Sequence, residues 1–357
     1  MDRFYFLMHA SIDFYFKQSP RDFVVEEIPL YEFSGEGEHL VLFIRKKNLS
    51  TPEMIGKIAR YLGIKNKEIG YAGLKDKHAM TKQYISLHKK YEQQLEGFDA
   101  PDIKILSKTY HNNKIRIGHL KGNKFYIRLK KVNKTDALKI DQALQNIEKQ
   151  GIPNYFGYQR FGNDQDNHIL GQKIVEGRHK ERNPRVKRLL INAYQSHLFN
   201  LWLSKRLEMS TLVANFSENE LESLLNLPKG QIKSLKNQQH FFKLLDGDVM
   251  EHYPYGKLFH FEGESADIER FNNRDITVTG LLSGKRAKTA LSIARDIEKD
   301  YDVITNEDGA RRFAWIYPTD IEGKHNPVEA HYELHFTLPK GSYATVLVEE
   351  LAKKKLI

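Results

Sequence analysis

Ile69-Gly70-Tyr71-Ala72-Gly73-Leu74-Lys75-Asp76-Lys77-His78-Ala79-Met80-Thr81-Lys82-Gln83-Tyr84-Ile85-Ser86-Leu87 is the stretch from which the rest of this chain can be read. Two β-prone runs, Ile69–Ala72 and Gln83–Leu87, flank a polar turn that begins at Gly73, so the Asp76 carboxylate is expected where a strand ends in a loop. Rigid scaffolds commonly present catalytic groups at such places. Lys75 and Lys77 favour the ionised carboxylate, which is then ready as a nucleophile or as a base. An isolated Lys-Asp-Lys triplet is equally an ordinary solvated turn, so the surrounding chain has to decide.

Its 357 residues leave room for two domains, each able to bury a core. Hydrophobic residues at 40% and charged residues at 29% are globular proportions. With no cysteine there can be no disulfide framework, thiolate zinc site, iron–sulfur cluster or cysteine nucleophile, and the composition fits a reducing compartment. The apolar start, Met1–His9, is too short and interrupted for a signal peptide or a membrane span, so a cytoplasmic location is expected.

The net charge of +10 is unevenly placed. Between residues 104 and 132 the cations are Lys104, Lys108, Lys114, Arg116, Lys121, Lys124, Arg128, Lys130 and Lys131, with no acidic residue among them. Phe125, Ile127 and Leu129 alternate there with Lys124, Tyr126, Arg128 and Lys130, which predicts a strand with one buried face and one basic, aromatic face. Such a face suits a phosphate backbone, although it could also serve solubility alone. No amphipathic helix with a basic flank accompanies it, so nucleic acid is favoured over a membrane surface.

Taken in order, Phe14–Phe16, Phe23–Val25 and Leu40–Ile44 read as strands. Ser50-Thr51-Pro52-Glu53 starts a helix with Met54, Ile55, Ile58 and Leu62 on its apolar face and Gly63 as its left-handed stop. Thr135-Asp136 is read as the cap of a second helix with Leu138, Leu144 and Ile147 on one side. In Asn154–Gly162, glycines flank aromatics, so rings can be presented from a loop or packed as a corner. The basic, proline-containing run Arg178–Arg188 looks like a boundary, with a long helix after it carrying Val186, Leu189, Leu190, Ala193, Leu198, Leu201 and Trp202. β character returns in Phe313–Tyr317 and Glu333–Leu338, and Pro339–Ser342 leads into a last helix. The organisation expected is a discontinuous catalytic domain of residues 1–179 and 305–357, with 180–304 inserted.

Two patterns carry less than they promise. Gly280–Lys285 resembles a phosphate-binding loop, but its glycine spacing is one residue short and Arg286 stands where a metal-binding hydroxyl is needed. His331 and His335 fall in a strand pattern rather than on one helix face, and no zincin glutamate follows His331, so no metal site is expected.

The run Tyr71–Thr81 resembles the active-site motif of the TruD family of tRNA pseudouridine synthases, and a run of that length is far more specific than a four-residue signature. The likeness extends to Pro20–Glu27, Gly35–His39, Leu120–Asn123, Asn154–Gly162 and Leu338–Thr345, in the family's order. It is looser in the centre, at Leu198–Asn200 and Asp246–Asp248. The resemblance implies an α+β pseudouridine synthase fold, with a largely antiparallel mixed sheet flanked by helices and an inserted α/β-mixed domain. It makes Asp76 the catalytic aspartate and Lys17 its partner, and it places Phe23, Asn154, Phe156 and Phe336 in a uridine pocket, with Glu26 in a supporting role. The basic strand and its neighbours supply Lys121, Asn123, Lys124, Arg128 and Arg160 as RNA contacts. The implied activity is that of a tRNA pseudouridine(13) synthase needing no cofactor, metal or obligate protein partner. A non-catalytic RNA-binding or RNA-chaperone protein on the same fold, or the same isomerisation on another RNA, are the alternatives.

Overall fold

The computed structural model describes residues 3–162, 164–227, 229–304 and 306–356. Met1 and Asp2 of the apolar start, and Thr305 and Ile357 at the ends of the expected second catalytic segment, lie outside the described residues. The chain runs β1 (Phe23–Pro29), β2 (His39–Lys47), α1 (Thr51–Leu62), β3 (Gly70–Tyr71), β4 (Met80–His88), α2 (Glu92–Leu95), β5 (Ile103–His111), β6 (Leu120–Lys130) and α3 (Lys134–Gln150). It continues through β7 (Ile152–Pro153), α4 (Asn167–Val175), α5 (Pro184–Asn215), α6 (Glu218–Leu225), α7 (Lys229–Asn237), β8 (Val249–His252), β9 (Leu258–His260), α8 (Ser265–Asn272), β10 (Ile276–Leu282), α9 (Ser292–Glu298), β11 (Ala310–Phe313) and β12 (Trp315–Ile316). Strands β13 (Thr319–Asn326) and β14 (His331–Pro339) and helix α10 (Ala344–Ala352) complete it.

Packing divides the chain into two compact units. The first holds His9–Glu148, Pro318–Ala344 and Lys354–Ile357. Its eight-stranded sheet runs β13-β14-β6-β1-β4-β2-β5, with β3 paired to β4. Only β1 and β4 pair in parallel; every other ladder of this sheet is antiparallel. Strand register sorts the side chains. Phe125 lies opposite Phe336 and Val25, and Ile127 lies opposite Leu334 and Phe23, so these six share one face.

Helix α1 covers that face because Thr51 Oγ1 donates to Gln83 Oε1 of β4 at 2.9 Å and the helix buries Met54, Ile55, Ile58 and Leu62 against Leu42, Ile44 and Ile85. The cap is reciprocal as expected: Ser50 Oγ accepts from Glu53 N–H at 3.3 Å, and Glu53 Oε2 accepts from Ser50 N–H at 2.7 Å. Gly63 stops the helix at φ 68°, where a side chain would be strained. Helix α3 covers the other end of the face, where the Tyr332 hydroxyl donates to Asp141.

Several local expectations change. Phe14–Phe16 form no full strand; Tyr15 alone bridges Lys130, and Lys17 at φ 55° turns the chain away. Asn133, not Thr135 or Asp136, caps α3, its Oδ1 accepting from the Asp136 N–H at 2.9 Å. Leu138 is exposed, because the helical period turns Ala137, Ile140, Leu144 and Ile147 to the sheet instead. Val186 and Leu189 are exposed on the first turns of α5, whose burial begins at Leu190.

The second unit holds Met1–Met8, Lys149–Tyr317 and Thr345–Lys353. It contains a four-stranded sheet, β11-β10-β8-β9, and the β12-β7 pair. This division differs from borders at 179/180 and 304/305, for a physical reason. Strand β11 of the expected catalytic segment is hydrogen-bonded to β10 of the expected insertion, so a ladder crosses the 304/305 border, whereas β12 and β7, which pair with each other, both belong to the expected catalytic part. Its centre buries two ion pairs, Arg206 with Asp248 at 2.6 Å and Arg311 with Glu298 at 2.5 Å.

Glycine 122 lies in the β6–β14 ladder, where an added Cβ would stand 2.2 Å from the Leu338 carbonyl oxygen. Neither main chain can yield without breaking the ladder, so Gly122→Ala should cost about 1–3 kcal/mol in urea unfolding. An unchanged midpoint would show that the ladder is looser than its register indicates.

Candidate active site

The Asp76 loop joins β3 to β4, as the flanking β-prone runs indicated, and the framework holds it mainly by its backbone. Thr51 Oγ1 accepts from the Lys75 N–H at 3.0 Å, and Lys46 Nζ donates to the Asp76 carbonyl at 3.0 Å and to the Leu49 carbonyl. Lys75 itself turns inward, its Nζ 2.5 Å from Glu27 Oε2, with both side chains almost fully buried. Glu27 Oε1 also accepts from the Tyr84 N–H at 3.2 Å. The loop therefore has hydrogen bonds or ion pairs to β1, β2 and α1, and the Asp76 side chain is left for other work.

That side chain is only partly exposed. Oδ2 sits 2.5 Å from Lys17 Nζ, and Oδ1 accepts from the His78 N–H at 3.0 Å. Burial pushes the carboxyl up, but the Lys17 charge, its hydrogen bond and the His78 N–H outweigh burial and hold it below the usual aspartate value. Lys17 reaches this position from a left-handed backbone, a conformation that costs an ordinary residue about 1 kcal/mol. Its ammonium also lies 4.3 Å from the centre of the Phe23 ring.

The rings continue from there. Phe16 meets Phe23 edge-on at 5.6 Å, Phe23 is 6.2 Å from Phe125, and Phe125 stacks on Phe336 at 5.3 Å. Asp76, Lys17, Phe23 and Phe336 thus come together in one unit. Phe125 and Lys46 belong to the same constellation and were not singled out; alternation marked Phe125 only as core, and nothing in Arg45-Lys46-Lys47 separates the buried lysine from its neighbours. Asn123 lies on β6 two residues from Phe125, on its face, and its Oδ1 is buried without a hydrogen-bond partner.

Asn154 and Phe156 fall in the other unit. The Asn154 amide is occupied there: Nδ2 donates to the Phe313 carbonyl at 2.9 Å, and Oδ1 accepts from Arg312 at 2.8 Å. Phe156 packs edge-on to Phe199, with the Arg312 guanidinium 3.9 Å above its ring. Arg160 donates to Ser196 Oγ at 3.0 Å. Among the expected RNA contacts, Lys121 and Lys124 are exposed, whereas Arg128 is drawn to Glu333 at 3.1 Å and to the Tyr126 hydroxyl. Glu26 pairs with Lys82 at 2.7 Å on the opposite face. Among the described residues no three histidines or carboxylates converge as metal ligands, and no helix is long and apolar enough to cross a membrane.

The profile of the family described as tRNA pseudouridine synthase D (TruD) matches residues 2–183 and 179–351. The chain belongs to the TruD family. It is similar to tRNA pseudouridine synthase D of Sulfurimonas denitrificans, with 68% identity over all of both chains. It is also similar to that of Nitratiruptor sp., at 58% identity over 100% of this chain and 99% of the relative. The relative from Helicobacter pylori is 46% identical over 97% of this chain and 95% of its own. The crystal structure of a Methanosarcina mazei protein assigned to TruD shares the fold at TM-score 0.65 and 22% identity, covering 99% of this chain and 96% of that one. TruD proteins are RNA pseudouridine synthases, so this chain is an isomerase of the α+β class, with the mixed sheet described above.

The balance at Asp76 has a sign that can be measured. By carboxyl-carbon NMR, Asp76 should titrate below 3.8 in the intact protein. In Lys17→Met the largest remaining influence is burial, so the same carboxyl should titrate above 3.8. Because the folded value is depressed, this group stabilises the fold above the unfolded pKa, and the contribution is lost as pH falls through the folded value. Lys17→Met should remove that acid dependence; a titration unchanged by the substitution would mean that Lys17 does not hold the charge.

Proposed function

We propose that this protein is a tRNA pseudouridine(13) synthase, acting in the cytoplasm without a cofactor, with Asp76 as the catalytic aspartate. The observation that carries this reading is the Asp76–Lys17 pair, at 2.5 Å, beside the rings of Phe23, Phe125 and Phe336. The names of the relatives support tRNA as the substrate class. The proposed insertion remains residues 180–304, the segment in which the family's motifs are sparsest.

The reaction breaks the bond between C1′ and N1, turns the uracil, and joins C1′ to C5. The C5 proton leaves to solvent and N1 gains one, so atoms and electrons balance without an oxidant or reductant. An ionised Asp76 either attacks C1′ or removes a sugar proton; Lys17 keeps it charged and aimed in both routes. The target base has to leave its stack, at a cost of a few kcal/mol that stacking on the aromatic face offsets. Reading an imide edge takes an amide with free capacity. Asn123, whose Oδ1 has no partner on that face, suits this role better than Asn154, whose amide is occupied. Exposed Lys121 and Lys124 are placed to meet phosphates.

Tritium release from C5-labelled uridine in unmodified tRNA transcripts tests the assignment. Wild-type protein should release it and Asp76→Asn should not, with tRNA binding retained because shape is kept and charge removed. Tight binding by both without release would favour an RNA-binding protein, and release confined to another RNA would change the substrate. Asn123→Ala should lower turnover at least tenfold, and more than Asn154→Ala does at matched stability; the reverse order would return the base-reading role to Asn154. Replacing Lys121 and Lys124 with alanine should flatten the salt dependence of tRNA binding by about 1.4–1.8 in log–log slope, if each meets one phosphate. An unchanged slope would turn that end of β6 away from the RNA.

A further inference from the structure

Lys46 is a lysine with no exposed surface, at the end of β2, in the strand pair that carries the Asp76 loop. Burying an ammonium is costly unless its protons are used. Here they go to two carbonyls, that of Leu49, which precedes α1, and that of Asp76 itself. No carboxylate is within ion-pair distance of Lys46 among the described residues, so the cation is stabilised by backbone dipoles. An isosteric apolar side chain would fill this space without that penalty. The arrangement is therefore poorly explained as a device for stability.

Resting on the pseudouridylation reading above, we propose that Lys46 is a positioning residue for catalysis: it clamps the Asp76 peptide to the start of α1, so that the carboxylate meets Lys17 and C1′ in a single geometry. Three anchors then act on two consecutive residues of the loop, Lys75 and Asp76. Thr51 holds the Lys75 N–H, Lys46 holds the Asp76 carbonyl, and the His78 N–H holds Asp76 Oδ1. Lys46 is the one of the three whose grip changes with a proton above neutral pH, since the Asp76 carboxylate is already ionised there. The charged groups that face it are Asp76 and Lys75 from the loop and Glu53 from α1; its cross-strand neighbours, Thr81 and Ile103, are neutral. Burial, the largest influence, lowers its pKa to about 8, with Lys75 acting in the same direction and Asp76 and Glu53 opposing.

The sign separates catalysis from folding. A lysine whose folded pKa is depressed binds its proton more tightly in the unfolded chain, so stability from this group rises as pH passes upward through about 8. The clamp weakens over that same range. Turnover should therefore fall above pH 8 while the fold does not.

The experiment is single-turnover tritium release by the full chain on saturating tRNA transcript, from pH 6 to 10, for wild type, Lys46→Met and Lys46→Gln, with tRNA affinity and thermal midpoint measured alongside. Lys46→Met should lower the rate by about 10–100-fold, the loss expected when a reacting group is misplaced by about an ångström. Its tRNA affinity should stay within twofold, its thermal midpoint should not fall, and its alkaline limb should disappear. Lys46→Gln, a neutral donor, should recover part of the rate with the same flat profile. A wild-type rate and profile in Lys46→Met would overturn the proposal, as would rate, affinity and midpoint falling together in both variants. Should Lys46→Met not fold, Lys46→Gln with the wild-type profile decides in the same way. If wild-type protein releases no tritium, the functional reading has failed rather than this one. The Asp76 carboxyl is then followed by NMR: a titration shifted in Lys46→Gln supports the clamp, and an unshifted one overturns it.

Discussion

A carboxylate that stays ionised while largely withdrawn from water needs a fixed cation, and much of the first unit follows from providing one for Asp76. Lys17 supplies the charge at 2.5 Å, from a left-handed backbone position that an ordinary loop would avoid. The short chain before β1 is held against β6 by the Tyr15–Lys130 bridge, and Asp22, capped onto Ser19, fixes where β1 begins. The lysine is thus delivered by sheet elements that pair tens of residues away from it.

The same requirement recurs one layer down. Lys75 and Glu27 are buried together, and Lys46 is buried against two carbonyls, so the loop stands on charges that water cannot reach. Such groups seldom add net stability, since desolvation takes back much of the attraction. They do limit the loop to few arrangements, because every alternative leaves a charge without a partner. The second unit uses the same kind of pairing at Arg206–Asp248 and Arg311–Glu298, where it holds ladders and helices rather than an exposed loop.

The aromatic face adds what charge alone does not. Phe23, Phe125 and Phe336 come from β1, β6 and β14, adjacent strands whose register places the rings side by side. The stacked rings form an apolar wall, with the Asp76 carboxylate joined to them through Lys17. The TruD relatives match the chain from end to end.

Much of this was legible in the residues themselves. Period-2 alternation in Lys124–Lys130, the Ser50–Glu53 cap and the Gly63 stop are local signals, set by backbone sterics and side-chain reach, and they appear where the spacing put them. The Tyr71–Thr81 run marked the Asp76 loop between two strands for a similar reason, since its turn and its charges are neighbours in sequence. Contacts between distant segments could not be read this way. Which lysine of Arg45-Lys46-Lys47 is buried, which asparagine keeps a free oxygen, and that Arg312 occupies Asn154 depend on strand register and on loops closing over hundreds of residues. The sequence by itself determined the elements whose signals are local and the chemistry of the loop. Only the tertiary structure decided which charges and amides are spent on the fold and which are left for a substrate, because a buried polar group must find its partner wherever the chain brings one.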